Sequence, residues 1–179
     1  MNKIIPCLLL CLLIAVTSIQ LQAQQVQAKN TATIPKTFIL LRHAEREQNL
    51  SADPELSVRG QQQAEKLAQL LKDQPLTAVY ATPYRRTINT AAPLVAQKGL
   101  NTQFYEPIKA ADLLEQLKEN GDKGTVLLVG HSNTIPSMVN TLLGEKTVSP
   151  IAEDDYGVIY IVTLPSAGPP SLVTLRLPE

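Results

Sequence analysis

The stretch Phe38-Ile39-Leu40-Leu41-Arg42-His43-Ala44-Glu45 decides the fold. Four apolar residues without alternation are typical of a strand buried on both faces, as in a parallel sheet. The run ends in Arg42 and His43, and in open α/β sheets ligands bind just beyond the carboxyl ends of the strands. The only other histidine of the chain, His131, follows a second apolar run, Val126 to Gly130. We therefore expect the rest of the sequence to bring the two histidines together.

The composition indicates a single domain with an aliphatic core. The chain has 179 residues, of which 44% are hydrophobic, with two Phe and no Trp. Its 16 basic and 16 acidic residues give a formal net charge of zero. This balance does not favour a nucleic-acid-binding protein, which carries a large excess of basic residues. Any anion site must therefore be local and built from a few arginines.

The first 23 residues are predicted to be a secretory signal peptide. Lys3 precedes an apolar core from Ile4 to Val16, which is short for a membrane-spanning helix. An uncleaved membrane anchor is the alternative. Cleavage at residue 23 would remove both cysteines and leave no membrane span, and we expect an exported, periplasmic or extracellular protein. Residues 24–36 are predicted to be a flexible lead into a domain at 37–179.

From residue 37 onward, predicted strands alternate with helices that carry one apolar stripe. The predicted strands are 37–42, 77–82, 102–105, 125–130, 157–164 and 172–177. Ser57 is the predicted N-cap of the first helix, Pro83 lies in the first turn of the second, and Pro93 should kink or shorten that helix. A third helix carries Ala110 to Leu117, and Asn133 or Thr134 caps the fourth. This order predicts a three-layer α/β/α sandwich with a mostly parallel central sheet.

The predicted sheet brings several cationic and imidazole groups to one rim. Arg42 and His43 end the first strand, Arg85 and Arg86 follow the second, and His131 follows the fourth. Guanidinium groups offer paired donors that match phosphate oxygens, and helix N-termini add backbone donors. A neutral imidazole is a competent nucleophile at phosphorus. The domain has no cysteine and no metal-binding motif, so we predict neither a metal nor another cofactor.

The same motifs resemble those of the histidine phosphatase superfamily, which has the phosphoglycerate mutase-like fold. Arg42 to Glu45 is similar to its RHG(E) motif, and Leu56 to Gly60 to its L-S/T-x-x-G motif. Thr82 to Ala91 resembles S-P-x-x-R-A-x-Q-T-A, and Val129 to Asn133 resembles the second-histidine motif. The match runs in family order over nearly the whole domain.

The resemblance implies roles for particular residues. His43 would be the phosphorylated nucleophile, and Arg42, Arg86 and His131 would form the phosphate pocket with Asn49 as a contributor. The proton donor to the leaving group is left open: Glu106 is the first candidate, Asp112 the second and Glu153 the third. Ala44 stands where the family usually has glycine, which adds one methyl group beside the nucleophile.

The implied function is hydrolysis of small-molecule or envelope phosphomonoesters through a phosphohistidine on His43. A phosphomutase of the same fold is the alternative among enzymes, although the short chain has no room for a long lid. A phosphohistidine-protein phosphatase fits an exported chain less well. The alternative from another class is a non-catalytic phosphate-binding module with the same pocket. The sequence does not choose among sugar phosphates, nucleotides and lipid phosphates as substrates.

Overall fold

The fold is an α/β sandwich, described here from a computed structural model that places residues 35–119 and 124–178. The predicted signal peptide and most of the predicted lead lie outside these residues. The described residues form one compact unit. No helix in the described ranges has the length and apolar character needed to cross a membrane.

The described residues contain six strands and four α-helices. The strands are β1 (Lys36–Arg42), β2 (Leu76–Ala81), β3 (Thr102–Phe104), β4 (Gly124–Gly130), β5 (Val158–Leu164) and β6 (Ser171–Arg176). The helices are α1 (Val58–Leu70), α2 (Arg85–Lys98), α3 (Ala110–Glu119) and α4 (Thr134–Leu143), and a short 3₁₀ turn at Pro107–Lys109 precedes α3. Each predicted strand is present within one residue of its predicted bounds.

The strands form one sheet in the order β3-β2-β4-β1-β5-β6. The pairs β2–β3, β2–β4 and β1–β4 are parallel, whereas β5 pairs antiparallel with both β1 and β6. The predicted mostly parallel sheet is therefore confirmed, with an antiparallel hairpin added at one edge. Since β1 and β4 are central, both their faces need covering.

Helices cover both faces of the sheet, as predicted. Side chains alternate along β1, so that Phe38 and Leu40 face α3 and α4, whereas Ile39 and Leu41 face α1 and α2. All four of these strand residues are at most 2% exposed. The continuous apolar run is thus explained by burial from both sides.

The helix termini agree only in part with the sequence analysis. Ser57 is the N-cap of α1, and its hydroxyl accepts a hydrogen bond from Gly60 N at 3.0 Å. The prediction that Pro83 lies in the first turn of α2 is wrong, because Pro83 precedes the helix, whose N-cap is Tyr84. Of the two effects predicted for Pro93, shortening is wrong, since the helix continues to Lys98, and a kink stays a prediction. Proline removes one backbone donor there, while buried Ala91 and Leu94 hold the helix against the sheet.

Gly60 is needed because α1 packs directly on the loop after β1. A Cβ atom at this position would overlap the carbonyl oxygen of Glu45. The same carbonyl accepts a hydrogen bond from Ser57 N at 3.0 Å, and the Glu45 side chain accepts one from the Ser57 hydroxyl at 2.8 Å. The glycine of the L-S-x-x-G pattern therefore lets the start of α1 fix the backbone two residues after His43.

Candidate active site

The carboxyl ends of β1, β2 and β4 meet on one rim of the sheet. Arg42 pairs in register with Gly130, and His43 N donates to Gly130 O at 2.9 Å. Ala81 pairs with Val129, which brings the residues after β2 to the same rim. A polar cavity of about 360 Å³ lies there, lined by Arg42, His43, Arg46, Ser51, Ala52, Pro54, Arg86, His131, Ser132, Asn133 and Glu153. A larger groove of about 770 Å³ lies between α4 and the chain that follows it, but neither histidine and no arginine line it.

His43 is held as a neutral imidazole with its Nε2 lone pair free. The side chain is 3% exposed, and Nδ1 lies 2.8 Å from the carbonyl oxygen of Ala44. A carbonyl only accepts, so the ring proton is on Nδ1 and Nε2 is unprotonated. Burial, with smaller contributions from the charges of Arg42, His131 and Arg86, lowers the pKa of His43 to about 3. The ring is therefore a nucleophile or base, not a cation, at neutral pH.

The residue after His43 is fixed by α2. Ala44 N donates to Thr90 Oγ1 at 2.9 Å, and the Thr90 hydroxyl donates to the carbonyl oxygen of Arg86 at 2.6 Å. The extra methyl group of Ala44 is accommodated in a small buried cluster with Leu56 and Ala64. The departure from the usual glycine therefore leaves the His43 backbone in place.

Arg42 is a buried cation that the chain after α4 surrounds. Its Nη1 donates to the carbonyl oxygens of Ala152 (2.8 Å) and Asp155 (3.1 Å), and Nη2 lies 3.2 Å from Glu153 Oε2. The guanidinium lies 4.2 Å from the centre of the Tyr156 ring. Its Nε is buried without a hydrogen-bond partner in the described residues. An unpaired buried donor is costly, so an anion with several acceptor oxygens suits this group.

Arg86 forms the opposite side of the cavity. It lies in the first turn of α2, with its guanidinium 4.5 Å from the centre of the Tyr84 ring and its Nη1 3.3 Å from Asp53 Oδ1. Asp53 also accepts from the backbone N of Arg85 at 3.1 and 3.2 Å, which attaches the loop before α1 to the start of α2. Burial lowers the pKa of Arg86, and Asp53 opposes that shift.

A chain of hydroxyl groups fixes the tautomer of His131. Its Nε2 lies 2.9 Å from Thr82 Oγ1, which lies 3.0 Å from Thr87 Oγ1. The Thr87 hydroxyl reaches the carbonyl oxygens of Thr82 (2.7 Å) and Tyr84 (2.8 Å), which only accept. Thr87 therefore donates to a carbonyl and accepts from Thr82, so that Thr82 accepts from His131. Nε2 carries the ring proton, and Nδ1 of the neutral ring is left unprotonated.

This arrangement determines when His131 can donate from Nδ1. Burial and the charges of Arg86 and Arg42 lower the pKa of His131 to about 4, so the ring is neutral near pH 7. A nearby dianion favours the imidazolium, whose Nδ1 is a second donor. The ring lies 5.6 Å from that of His43, centre to centre. An anion bound beside His43 thus makes His131 a proton donor toward it.

The structure brings together most, but not all, of the residues predicted for the site. Arg42, His43, Arg86 and His131 line one cavity. Asn49, Glu106 and Asp112 do not line it, and Asn49 Nδ2 instead donates to Glu47 at 2.8 Å. Of the three candidate acids, Glu153 is the one at the cavity, where its Oε1 accepts from the Ser132 hydroxyl at 2.7 Å.

Several residues of the site have no role that the sequence predicts. Arg46 and Ser132 line the cavity, and Asp53 and Tyr156 contact its arginines. Arg46 is three residues from His43, and Ser132 is next to His131, so the motifs themselves point to both. Asp53 and Tyr156 lie in loops, and the sequence carries no signal that places them.

Comparisons with known proteins agree with the predicted resemblance. The family model "Histidine phosphatase superfamily (branch 1)" matches residues 38–109, which contain Arg42, His43 and Arg86. Phosphoserine phosphatase 1 of Hydrogenobacter thermophilus is 43% identical over 69 residues, 35% of this chain. The match spans about a third (33%) of the length of that relative. The resemblance to the superfamily is thus confirmed by the model over these residues.

Solved structures similar to this chain are phosphatases of the same fold. A mycobacterial glucosyl-3-phosphoglycerate phosphatase aligns over 80% of this chain and 100% of its own, with a TM-score of 0.62 and 16% identity. Phosphoserine phosphatase of Entamoeba histolytica aligns over 80% and 98%, with a TM-score of 0.64 and 20% identity. The protein histidine phosphatase SixA aligns over 78% and 96%, with a TM-score of 0.62 and 17% identity. At these identities the likeness shows the fold.

The two histidines should hold opposite tautomers, because a carbonyl fixes one ring and a hydroxyl chain the other. In ¹⁵N spectra of histidine-labelled protein at pH 7, we expect a proton on Nδ1 of His43 and on Nε2 of His131. Thr82→Val should convert only the His131 signals toward a tautomer mixture, whereas Thr82→Ser and the control Thr141→Val should leave them unchanged. A proton on Nδ1 of His131 in the unsubstituted protein would contradict the hydroxyl chain.

The buried neutral histidines should make the fold sensitive to mild acid. The folded-state pKa of His43 (about 3) lies below its ordinary value of 6.5, so between these pH values the unfolded chain binds more protons and stability falls as pH falls. His43 alone should lower the free energy of unfolding by about 2 kcal/mol between pH 7 and pH 5. Urea unfolding at both pH values measures this loss.

The matched variant is His43→Asn, whose amide can still donate to Ala44 O but does not titrate. Between pH 7 and pH 5, its free energy of unfolding should fall by less than that of the unsubstituted protein. The fall that remains should come from His131, and it should be small because that ring is partly exposed. Equal losses in the two proteins would mean that His43 is not buried as a neutral ring.

Proposed function

We propose that this chain is a phosphatase of the histidine phosphatase superfamily that hydrolyses phosphomonoesters through a phosphohistidine on His43. The observation that carries the proposal is the free, unprotonated Nε2 of a buried imidazole in a cavity that also holds Arg42, Arg86 and His131. A site that only binds phosphate has no need of an unprotonated nitrogen there, since phosphate oxygens require donors. The phosphatase relatives support the same class of reaction.

In the proposed first step, Nε2 of His43 attacks phosphorus while the bond from phosphorus to the ester oxygen breaks. Phosphoryl transfer depends mainly on positioning and on stabilising charge on the three equatorial oxygens. Arg42 and Arg86 supply that charge, and His131 becomes a donor when the dianion favours its imidazolium. The hydrogen bond from Nδ1 to Ala44 O (2.8 Å) persists and stabilises the positive charge that the phosphorylated ring acquires. Water then attacks phosphorus while the bond from phosphorus to Nε2 breaks, which releases dihydrogen phosphate and restores the neutral ring of His43.

The carboxylates of the free protein occupy positions that substrate would take. Glu153 lies against Arg42, and Asp53 lies against Arg86. Glu153 is 80% exposed, so its carboxylate can move into solvent, whereas Arg42 is 3% exposed and needs another anion in its place. A phosphate dianion would replace this carboxylate on Arg42 and reach the unpaired Nε. Substrate binding is therefore an exchange of one anion for another.

We assign the protonation of the leaving group to Glu153. The hydrogen bond from Ser132, and the nearby Arg42, hold the pKa of Glu153 below its ordinary value in the free protein. Substrate that takes Glu153 away from Arg42 removes a stabilising cation and adds a like charge, and both changes raise the carboxyl pKa. The acid would then lie at the mouth of the cavity, where the ester oxygen leaves.

We also propose that the protein is exported, on the basis of the apolar segment from Ile4 to Val16 alone. An exported phosphatase would meet small phosphate esters or phosphorylated envelope components. We favour a hydrolase over a mutase because the sequence has no long insertion between its motifs that could shield a phosphoenzyme from water.

Covalent catalysis predicts a phosphorylated enzyme that depends on His43. Rapid mixing of the purified protein with 4-nitrophenyl phosphate and quenching in base, which preserves phosphohistidine, should give one added phosphoryl group by intact mass. The adduct should be absent in His43→Asn and should still form, more slowly, in His131→Gln, whose amide can donate to Thr82. Phosphate release that continues after the adduct has formed would identify a hydrolase rather than a mutase. Phosphate binding without adduct or release would favour the binding module instead.

Protonation by Glu153 should matter only when the leaving group is basic. Glu153→Gln should lower kcat by about 100-fold for an alkyl phosphate and only slightly for 4-nitrophenyl phosphate, whose leaving group needs no proton. KM should fall for both, since Arg42 loses a competing carboxylate. The matched control is Glu106→Gln, which should leave kcat and KM unchanged for both substrates because Glu106 does not line the cavity. Equal losses of kcat on both substrates would exclude Glu153 as the acid.

A further inference from the structure

Arg46 is placed at the cavity by the backbone of the loop between β1 and α1. It forms an isolated antiparallel bridge with Leu56, and the neighbouring Glu47 N donates to Glu55 O at 2.9 Å. The two ends of the loop are thereby fixed to each other at Arg46. The side chain of Arg46 lines the cavity together with Ser51, Ala52 and Pro54 of the same loop.

Arg46 differs from the other arginines in having no salt bridge to a carboxylate within the part of the chain that the structure describes. The chain has six arginines, and all six lie within the described residues. Five of them lie within 4 Å of an acidic side chain: Arg42 with Glu153, Arg59 with Glu45, Arg85 with Glu55, Arg86 with Asp53 and Arg176 with Asp155. The Arg46 guanidinium instead makes a long hydrogen bond of 3.4 Å from Nη1 to the carbonyl oxygen of Glu47.

The charge of Arg46 acts on both sides of the cavity. It contributes to lowering the pKa of Arg86 on one side and that of Glu153 on the other. The cavity therefore holds a cation that forms no salt bridge with an acidic side chain of the described residues, close to the groups that would bind phosphate. Guanidinium groups in such positions bind carboxylates and phosphates through paired hydrogen bonds.

We propose that Arg46 binds an anionic group, a carboxylate or a second phosphate, on the leaving-group side of the substrate. This inference rests on the proposed phosphatase function and names the substrate class of the same site. The transferred phosphoryl group already has Arg42, Arg86 and His131 around it. Arg46 comes instead from the loop that carries the exposed Ser51 and Ala52, at the wall that the rest of the substrate would pass. The preferred substrates are thus phosphomonoesters with a further negative charge a few ångströms from the ester oxygen.

The test compares three aryl phosphates that differ in the group opposite the ester: phenyl phosphate, 4-carboxyphenyl phosphate and 1,4-phenylene bisphosphate. For each, kcat/KM is measured with the unsubstituted protein, with Arg46→Gln and with Arg46→Lys. The ratio of unsubstituted protein to variant cancels the intrinsic reactivity of each ester. For Arg46→Gln, kcat/KM should be about tenfold lower than in the unsubstituted protein with an anionic substrate and less than twofold lower with phenyl phosphate. Arg46→Lys should recover part of the loss. The carboxylate and bisphosphate arms show which anion Arg46 prefers.

Arg59→Gln is the matched control, because it removes the same charge from an exposed arginine that does not line the cavity. This variant should change kcat/KM by less than twofold with all three substrates. Equal losses on all three substrates in Arg46→Gln would place Arg46 on the transferred phosphoryl group and overturn the proposal. No loss on any substrate, or an equal loss in Arg59→Gln, would overturn it as well.

The phosphatase function and the role of Arg46 can fail separately. Hydrolysis of phenyl phosphate that disappears in His43→Asn supports the phosphatase whatever Arg46 does. If the protein hydrolyses none of the three esters, the phosphatase proposal fails, and calorimetric titration of the same esters decides the role of Arg46. A preference for 4-carboxyphenyl phosphate over phenyl phosphate that Arg46→Gln removes would then support it, and equal affinities would overturn it.

Discussion

The parallel pairing of β1 with β4 is the constraint on which the site depends. Its register sets Arg42 opposite Gly130, and the hydrogen bond from His43 N to Gly130 O (2.9 Å) extends the ladder one residue past the end of β1. A slip of one residue would move Phe38 and Leu40 to the other face of the sheet. The two different helix layers on those faces therefore fix the register, and the register fixes the separation of the two histidines.

Burial of the polar groups at this rim lowers the stability of the fold. Two imidazoles are kept neutral by burial, and the Nε of Arg42 has no partner among the described residues. Backbone contacts offset part of this cost: Ala44 O holds His43, the carbonyl oxygens of Ala152 and Asp155 hold Arg42, and the Thr82–Thr87 hydroxyl chain holds His131. Each supporting contact comes from a backbone group or a buried threonine. The site is thus set before any ligand arrives, which lowers the ordering cost of binding.

The sequence could predict the elements and the meeting of three strand ends, because apolar periodicity and the rules of parallel sheets determine both. It could not predict the loops. Glu153 and Tyr156 reach Arg42 through long-range contacts such as the hydrogen bond from Ile151 N to Ser132 O (3.2 Å), which no local pattern encodes. Asn49 was assigned by its position in a motif, yet its amide bonds Glu47 in the loop. The family resemblance likewise implies Glu106 as the first of three candidate acids, and Glu106 does not line the cavity.

The balance of charge in the free site bears on the ligand it suits. Arg42 and Arg86 are opposed by the two carboxylates of Glu153 and Asp53, which together carry the charge of one phosphate dianion. A dianion can therefore replace both carboxylates without changing the net charge, whereas a monoanionic sulfate ester would leave one guanidinium unmatched. Because the same dianion favours the imidazolium of His131, it also supplies its own additional donor. In the proposed function, a dianion would thus displace the two carboxylates and favour protonation of His131, while Arg46 adds a positive charge that no carboxylate of the described residues pairs with.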